Sequence, residues 1–470
     1  MRLRIMIAAL TVLALALPVQ ALAQAAKTEI YPIETMTLTD HQFLTGAKDG
    51  KPARIGGELR LPPGSGPFPA VLLVHGSGGV TVNVDLWARE FNGIGVAAFL
   101  LDSFTGRGFG QIITDQSQIG QLNMIYDAYR ALDLLSKHPR IALSQIAIMG
   151  FSKGGFVALR SSMKRFQRMY APPNVEFAAY LPFYGGYCES SFLEEDQVSD
   201  RPIRMFQGEK DDFNLAEPCR KYVERLHAAG KDAQITIYPG ARHAFDNPTH
   251  PAVLSYPDAV IPNRCKREER TGGDIYNADT GKPFTWKDAC VTRGASVGFD
   301  ASAYGEAKKA VKAFLIDTFK LNLTAAQLKD QLVGTWRLVS HQNVIVATGE
   351  TRNAYGKAPQ GYIMYAPDGR MMVLFVKEER PNPGDLPTMT DQQRVELFKT
   401  MIAYGGKYDF DGKRVTHHID VSWNQVYAGT DQVRDVKFDG RRVVFTTEPH
   451  PLNSDPKTTA VSVLTWEKMD

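Results

Sequence analysis

The sequence predicts an α/β unit, a mostly parallel sheet flanked by helices, followed by a C-terminal antiparallel β-barrel. From Phe68 to about Leu315, short apolar, β-branched runs alternate with longer amphipathic stretches. That alternation requires crossovers that lay helices on both faces of a parallel sheet. From Gly334 onward the runs are closely spaced and punctuated by Asp-Gly pairs, the pattern of hairpins in a small barrel. At 470 residues the chain is also too long for one ordinary domain.

In chain order, Arg2 and Arg4, the apolar run Ile5–Leu17 and the small-residue pattern Ala21-Leu22-Ala23 predict a secretory signal peptide over residues 1–23. No later run is long and apolar enough to span a membrane. A periplasmic or secreted location is expected, and with it disulfides. The four cysteines, Cys188, Cys219, Cys265 and Cys290, allow three connectivities of two bridges, of which Cys188–Cys219 with Cys265–Cys290 is the expected one. Residues 24–322 form the α/β unit. Strands are expected at Glu34–Leu38, Ala53–Leu61, Ala70–Val74, Val96–Leu101, Ile146–Met149, Phe177–Phe183, Ile203–Gln207 and Gln234–Tyr238. Helices are expected at Val84–Asn92, Leu122–Ser136, Gly154–Met163, Glu217–Ala229 and Tyr304–Phe319. The stretch 246–302, rich in Pro, Gly and charge, reads as an irregular insertion. Asn322-Leu323-Thr324 reads as a linker, and residues 325–470 as the barrel, with turns at Asp368-Gly369, Asp411-Gly412 and Asp439-Gly440. The net charge of +3 gives no reason to invoke nucleic acid or an anionic membrane.

The chemistry concentrates in Gly150-Phe151-Ser152-Lys153-Gly154, a Gly-x-Ser-x-Gly pattern set between a strand and a helix. In that setting the turn is so tight that only glycine fits beside the serine, which is held at the tip. A serine hydroxyl needs a base to take its proton. His243 follows one later strand, and an acid in Gly208–Asp212 follows the strand before it, the order Ser, acid, His. All three then fall at the C-terminal ends of parallel strands, where open sheets build their sites. Asp211 would orient the imidazole of His243. Oxyanion donors are expected from the backbone N–H groups of Lys153 and of Ser77, the latter in His75-Gly76-Ser77-Gly78-Gly79. His75 reads as structural. Pocket candidates are Phe104, Arg107, Phe151, Tyr184 and Phe213, with Arg107 either facing an anionic substrate or tying its loop in an ion pair.

Those segments, together with Leu101–Gly108 and Arg242–Phe245, resemble the dienelactone hydrolase family over roughly residues 50–320. The resemblance implies an α/β-hydrolase fold, favours Asp211 over Asp212 as the acid, and places Cys188 and Cys219 near the site. Members that cleave dienelactone use cysteine as nucleophile where this chain has Ser152, so dienelactone itself is not the expected substrate. Residues 328–468 resemble a lipocalin-like domain, on Leu332–Leu338, Gly361–Tyr365 and Val415–His418. Such a barrel could hold an apolar ligand. His417 and His418, adjacent on a strand, face opposite sides and are not expected to share a metal.

The expected function is therefore cleavage of a small-molecule carboxylic ester or lactone through an acyl-enzyme, with no metal or organic cofactor. Acyl transfer or peptide cleavage on the same residues is one alternative. An apolar-ligand carrier with a vestigial hydrolase half is another.

Overall fold

The computed structural model describes residues 26–439, 441–452 and 455–469. The expected signal peptide at 1–23 and the turn glycine Gly440 lie outside the described residues.

Strands β1 (Lys27–Thr37), β2 (Lys51–Leu61), β3 (Phe68–Val74), β4 (Ala97–Asp102), β5 (Ile141–Phe151), β6 (Tyr180–Phe183), β7 (Ile203–Gly208) and β8 (Ala233–Tyr238) form one sheet in the order β1-β2-β4-β3-β5-β6-β7-β8. From β4 to β8 all neighbours are parallel, and β1 and β2 add an antiparallel edge. The strands of the centre read as continuous apolar runs because both faces are covered. In β3, Ala70, Leu72 and Val74 enter one core while Val71 and Leu73 enter the other. The first face is covered by helices α2 (Asn123–Ser136), α3 (Lys153–Arg160) and α4 (Ala216–Ala228), the second by α1 (Val82–Gly93) and α5 (Ala301–Phe319).

The stretch 246–302 is not irregular, which corrects the sequence-based expectation. Leu254–Ile261 pairs antiparallel with Thr292–Val297, and Arg267–Arg270, Asp274–Asn277 and Lys282–Pro283 form a small sheet with Ser190–Ser191. These strands are short, and Pro257 and Pro283 sit inside two of them, so periodicity gives no signal. Both expected bridges are present, Cys188–Cys219 and Cys265–Cys290. The second ties Cys265, just before the Arg267 strand, to Cys290, just before the Thr292 strand.

The C-terminal strands β9 (Gly334–Ile345), β10 (Gln360–Tyr365), β11 (Arg370–Val376), β12 (Met401–Phe410), β13 (Arg414–Ser422), β14 (Asp431–Asp439), β15 (Arg442–Thr446) and β16 (Asp455–Lys468) form an antiparallel meander that closes through β16–β9 pairing. Gly369 and Gly412 take the positive φ their hairpin turns require. Two helices of this C-terminal region were not expected. Thr324, read as linker, forms a capping box with Gln327 that starts Ala325–Leu332, and Thr390 with Gln393 starts Asp391–Lys399.

Candidate active site

Strand β5 runs into α3 through a single turn at Ser152, whose backbone sits at φ 55, ψ −115. Sterics enforce the flanking glycines. A Cβ on Gly150 would stand 1.9 Å from the carbonyl oxygen of Gly154, and one on Gly154 would stand 2.1 Å from that of Val74. The strained turn lifts the Ser152 side chain above the sheet at the N-terminus of α3, beyond the C-terminal ends of the strands.

The three expected side chains meet there. The Ser152 Oγ–His243 Nε2 distance is 2.9 Å, and His243 Nδ1 lies 2.8 Å from Asp211 Oδ2. Asp211 is 3% exposed and accepts from the backbone N–H of Phe213 (2.9 Å) and of Asn214 (2.8 Å) and from Gln207 Nε2 (2.9 Å). With three N–H groups donating to it, the carboxylate meets His243 as an acceptor too. That carboxylate places the imidazole proton on Nδ1 and leaves Nε2 to accept from the Ser152 hydroxyl. Asp212 points away and receives the Ser296 N–H and hydroxyl instead.

Two backbone amides border the hydroxyl. Lys153 opens α3, where N–H groups lack helical partners. The His75–Ser77 loop passes directly overhead, since a Cβ on Gly76 would stand 3.7 Å from Ser152 Oγ. Among the described residues neither the Lys153 nor the Ser77 N–H has a backbone acceptor. His75 is structural: its Nδ1 donates to the Gly76 carbonyl (2.7 Å) and its Nε2 accepts from the Ser103 N–H (3.1 Å), while burial lowers its pKa and keeps it neutral.

The pocket candidates divide. The Phe213 ring lies 4.7 Å from the His243 ring and is partly exposed, and Tyr184 packs its edge on the same imidazole at 4.7 Å. Phe104 and Phe151 are instead core residues, packed on His75 and on Phe183. Arg107 faces no open cleft. Its guanidinium is buried against Asp127 at 2.7 and 2.9 Å and also donates to Thr37, Ser103 and Met36, so the ion-pair reading holds and the substrate reading falls.

Several neighbours were not foreseen. Asp246, fully buried, accepts from Tyr184 OH (2.7 Å), Trp87 Nε1 (2.8 Å) and Asn83 Nδ2 (3.3 Å), and so pins the loop that carries His243. Burial raises its pKa against those hydrogen bonds. The Lys153 side chain is buried near Asp40 and Arg267, and burial holds it down to about 8. Arg267, from the inserted small sheet, stacks over Tyr187 and Phe284 and pairs with Glu189 at 3.4 Å. Burial pushes Glu189 up to about 7 despite that partner. The position of Asp246 three residues after His243 was a readable signal. Nothing in the sequence placed Arg267 here.

A parallel sheet with a hydroxyl, an imidazole and a carboxylate in hydrogen-bonded series at its C-terminal edge defines an α/β-hydrolase. Residues 55–269 match the dienelactone hydrolase family and residues 333–469 match a lipocalin-like domain. The chain thus joins a dienelactone hydrolase-family region to a lipocalin-like barrel. A Yersinia pestis protein named "Putative carboxymethylenebutenolidase" is 26% identical over 206 residues, covering 40% of this chain and 72% of the relative. Esterase EstD of Thermotoga maritima is 27% identical over 181 residues, 36% of this chain and 43% of the relative. Among solved structures, a dienelactone hydrolase-like promiscuous phosphotriesterase from metagenomic libraries is 17% identical with a TM-score of 0.38, covering 63% of this chain and 98% of that one.

Proposed function

We propose that this protein is an exported serine hydrolase that cleaves small carboxylic esters or lactones. The observation that carries the reading is the hydrogen-bonded series from Ser152 Oγ through His243 to Asp211, at 2.9 and 2.8 Å. In this reading Ser152 Oγ attacks the ester carbonyl as His243 Nε2 takes its proton. The N–H groups of Lys153 and Ser77 stabilise the oxyanion, and Asp211 stabilises the imidazolium. The tetrahedral species collapses with cleavage of the C–O bond, and His243 returns the proton to the leaving alcohol. Water, deprotonated by His243, then attacks the acyl-enzyme and releases the acid. Phe213 and Tyr184 confine the imidazole to this path. Two disulfides, which persist in oxidising compartments, support export.

Replacement of Ser152 by Ala is expected to lower kcat on p-nitrophenyl butyrate by at least about 10⁴-fold, without change in Tm. Equal turnover by parent and variant sinks the proposal. A serine-reactive fluorophosphonate should label the parent at Ser152, whereas a vestigial site would stay unlabelled.

A further inference from the structure

Of the eighteen exposed large apolar side chains among the described residues, nine fall between Tyr362 and Val426, so the exposure is concentrated rather than scattered. Five of them share the outer face of the barrel, since directly opposed residues in an antiparallel ladder point the same way. Met364 of β10 opposes Met372 of β11, which opposes Gly405 of β12, which opposes Val421 of β13. In the next row Tyr362 opposes Leu374, and Leu374 opposes Ala403. The inward neighbours Ile363 and Val373 are buried, whereas Tyr362, Met364, Met372, Leu374 and Val421 are 45% to 63% exposed. A Cβ on Gly405 would lie 3.8 Å from both Met372 Cε and Val421 Cγ1, so these side chains lean over the glycine and join into one apolar surface.

The surface continues past the strand ends. The Trp423 N–H donates to the Ala403 carbonyl (2.8 Å), and the Trp423 ring lies 6.2 Å from that of Phe398. Phe398 and Val395 belong to the nine-residue helix Asp391–Lys399, which has no buried residue. Helices shorter than about 12 residues are marginal in water unless one side is packed. Here Val395 and Phe398 are exposed instead.

The α/β unit leaves this face open. It meets the barrel where Gln327 Nε2 donates to the Gly93 carbonyl (3.1 Å) and Lys309 Nζ to that of Met469 (3.3 Å). Met469 directly follows β16, and β12 stands four strands from β16 in either direction around the closed order, on the opposite wall.

We propose that two copies of this chain pair through the outer face of β10–β13, about a two-fold axis. Area, charge and shape favour a second copy. The five side chains present roughly 500 Å², so two faces together bury about 1,000 Å², the lower bound for a specific interface, and Val395 and Phe398 carry the total into the standard range. The rim holds both signs, with Arg370 and Asp420 3.6 Å apart and Lys407 two residues from Asp409. An anionic membrane or a partner of one charge calls for a rim of one sign, whereas a two-fold axis sets a mixed rim against itself. The surface is a sheet rather than a groove, and sheets pack face to face about 10 Å apart. The pairing is independent of the reading at Ser152.

Sedimentation velocity of the full chain from about 1 to 100 µM tests the pairing. The mass should reach that of two chains within this range. Leu374→Lys and Met372→Glu set like charges against each other across the axis, so each should weaken association at least about 10-fold, without change in Tm. Val346→Lys, at an exposed position outside the face, should associate as the parent does. The mass of one chain at every concentration would overturn the proposal without reference to any variant. So would a dimer that Leu374→Lys and Met372→Glu both leave intact, or that Val346→Lys weakens as much. A single chain that cosediments with phosphatidylcholine vesicles would overturn it too, and would give the face to lipid.

Discussion

The open sheet and the closed barrel spend their polar residues differently. In the sheet, the chemistry sits beyond the strand ends, on turns, and its two buried carboxylates are matched: Asp211 accepts four hydrogen bonds counting that of His243, and Asp246 accepts three. In the barrel, the unusual groups lie within the strands, at inward positions: His417 sits between Tyr365 and Tyr404, and among the described residues His341 and Trp466 Nε1 have no hydrogen-bond partner. A parallel sheet covered on both faces has no interior room for a ligand, so its site is built from loops. A barrel of eight strands has its only sheltered space inside. The comparison teaches that an open sheet places its hydrogen-bonded carboxylates on turns beyond the strand ends, where a reaction site can be preorganised, while a closed barrel turns its polar side chains in among packed aromatics.

The comparison can be broken at several points. Replacement of Asp211 by Asn should have the largest effect, lowering kcat on p-nitrophenyl butyrate by about 10⁴-fold through the wrong imidazole tautomer. A small loss would mean that the matched network is scaffolding. Next is a glycine pair. In urea unfolding, Gly154→Ala should cost at least about 3 kcal/mol, because the new methyl meets the Val74 backbone at 2.1 Å. Gly369→Ala in the barrel should cost only about 1 kcal/mol, since nothing lies within 4 Å of its Cβ and only its φ of +86° is strained.

Two buried groups, one in each region, should also respond oppositely to acid. Glu189, pushed up to about 7, binds a proton in the folded state between pH 4.5 and 7 that the unfolded chain has released, so its contribution to stability falls as pH rises through that window. Glu189→Gln should therefore gain about 2 kcal/mol on the parent at pH 8 relative to pH 5. His341 is held down to about 4 by burial, with the Arg434 charge adding to it. The unfolded chain binds the proton first, so stability is lost as pH falls from 6.5 towards 4. A His341→Phe variant should escape that loss, again by about 2 kcal/mol between pH 7 and pH 5. Both are read from urea midpoints at the two pH values. Parallel rather than opposite slopes would refute the contrast.

Much of this was legible because it depends on local rules. The Gly-x-Ser-x-Gly turn, the order Ser152, Asp211, His243 and the glycine loop at His75–Gly79 each follow from a strand end and what must come next. The pairing of the cysteines was legible as an expectation. Illegible were the strands of 246–302, interrupted by proline, and the helix Asp391–Lys399, which buries no residue and so carries no apolar stripe to mark it. Arg107 illustrates the other limit: a lone arginine in a loop reads as well for a substrate as for Asp127, and only their 2.7 Å contact decides between them.

By itself the sequence determined which residues end the strands, where the chain turns, and which face of each barrel strand is apolar, since periodicity and steric demand act within a few residues. The tertiary structure alone decided which of those residues meet. It brought Arg267 beside Lys153 and carried Trp87 and Tyr184 to Asp246. It also set His417 between Tyr365 and Tyr404 inside the barrel, because burial and hydrogen-bond pairing arise only when distant segments share a volume.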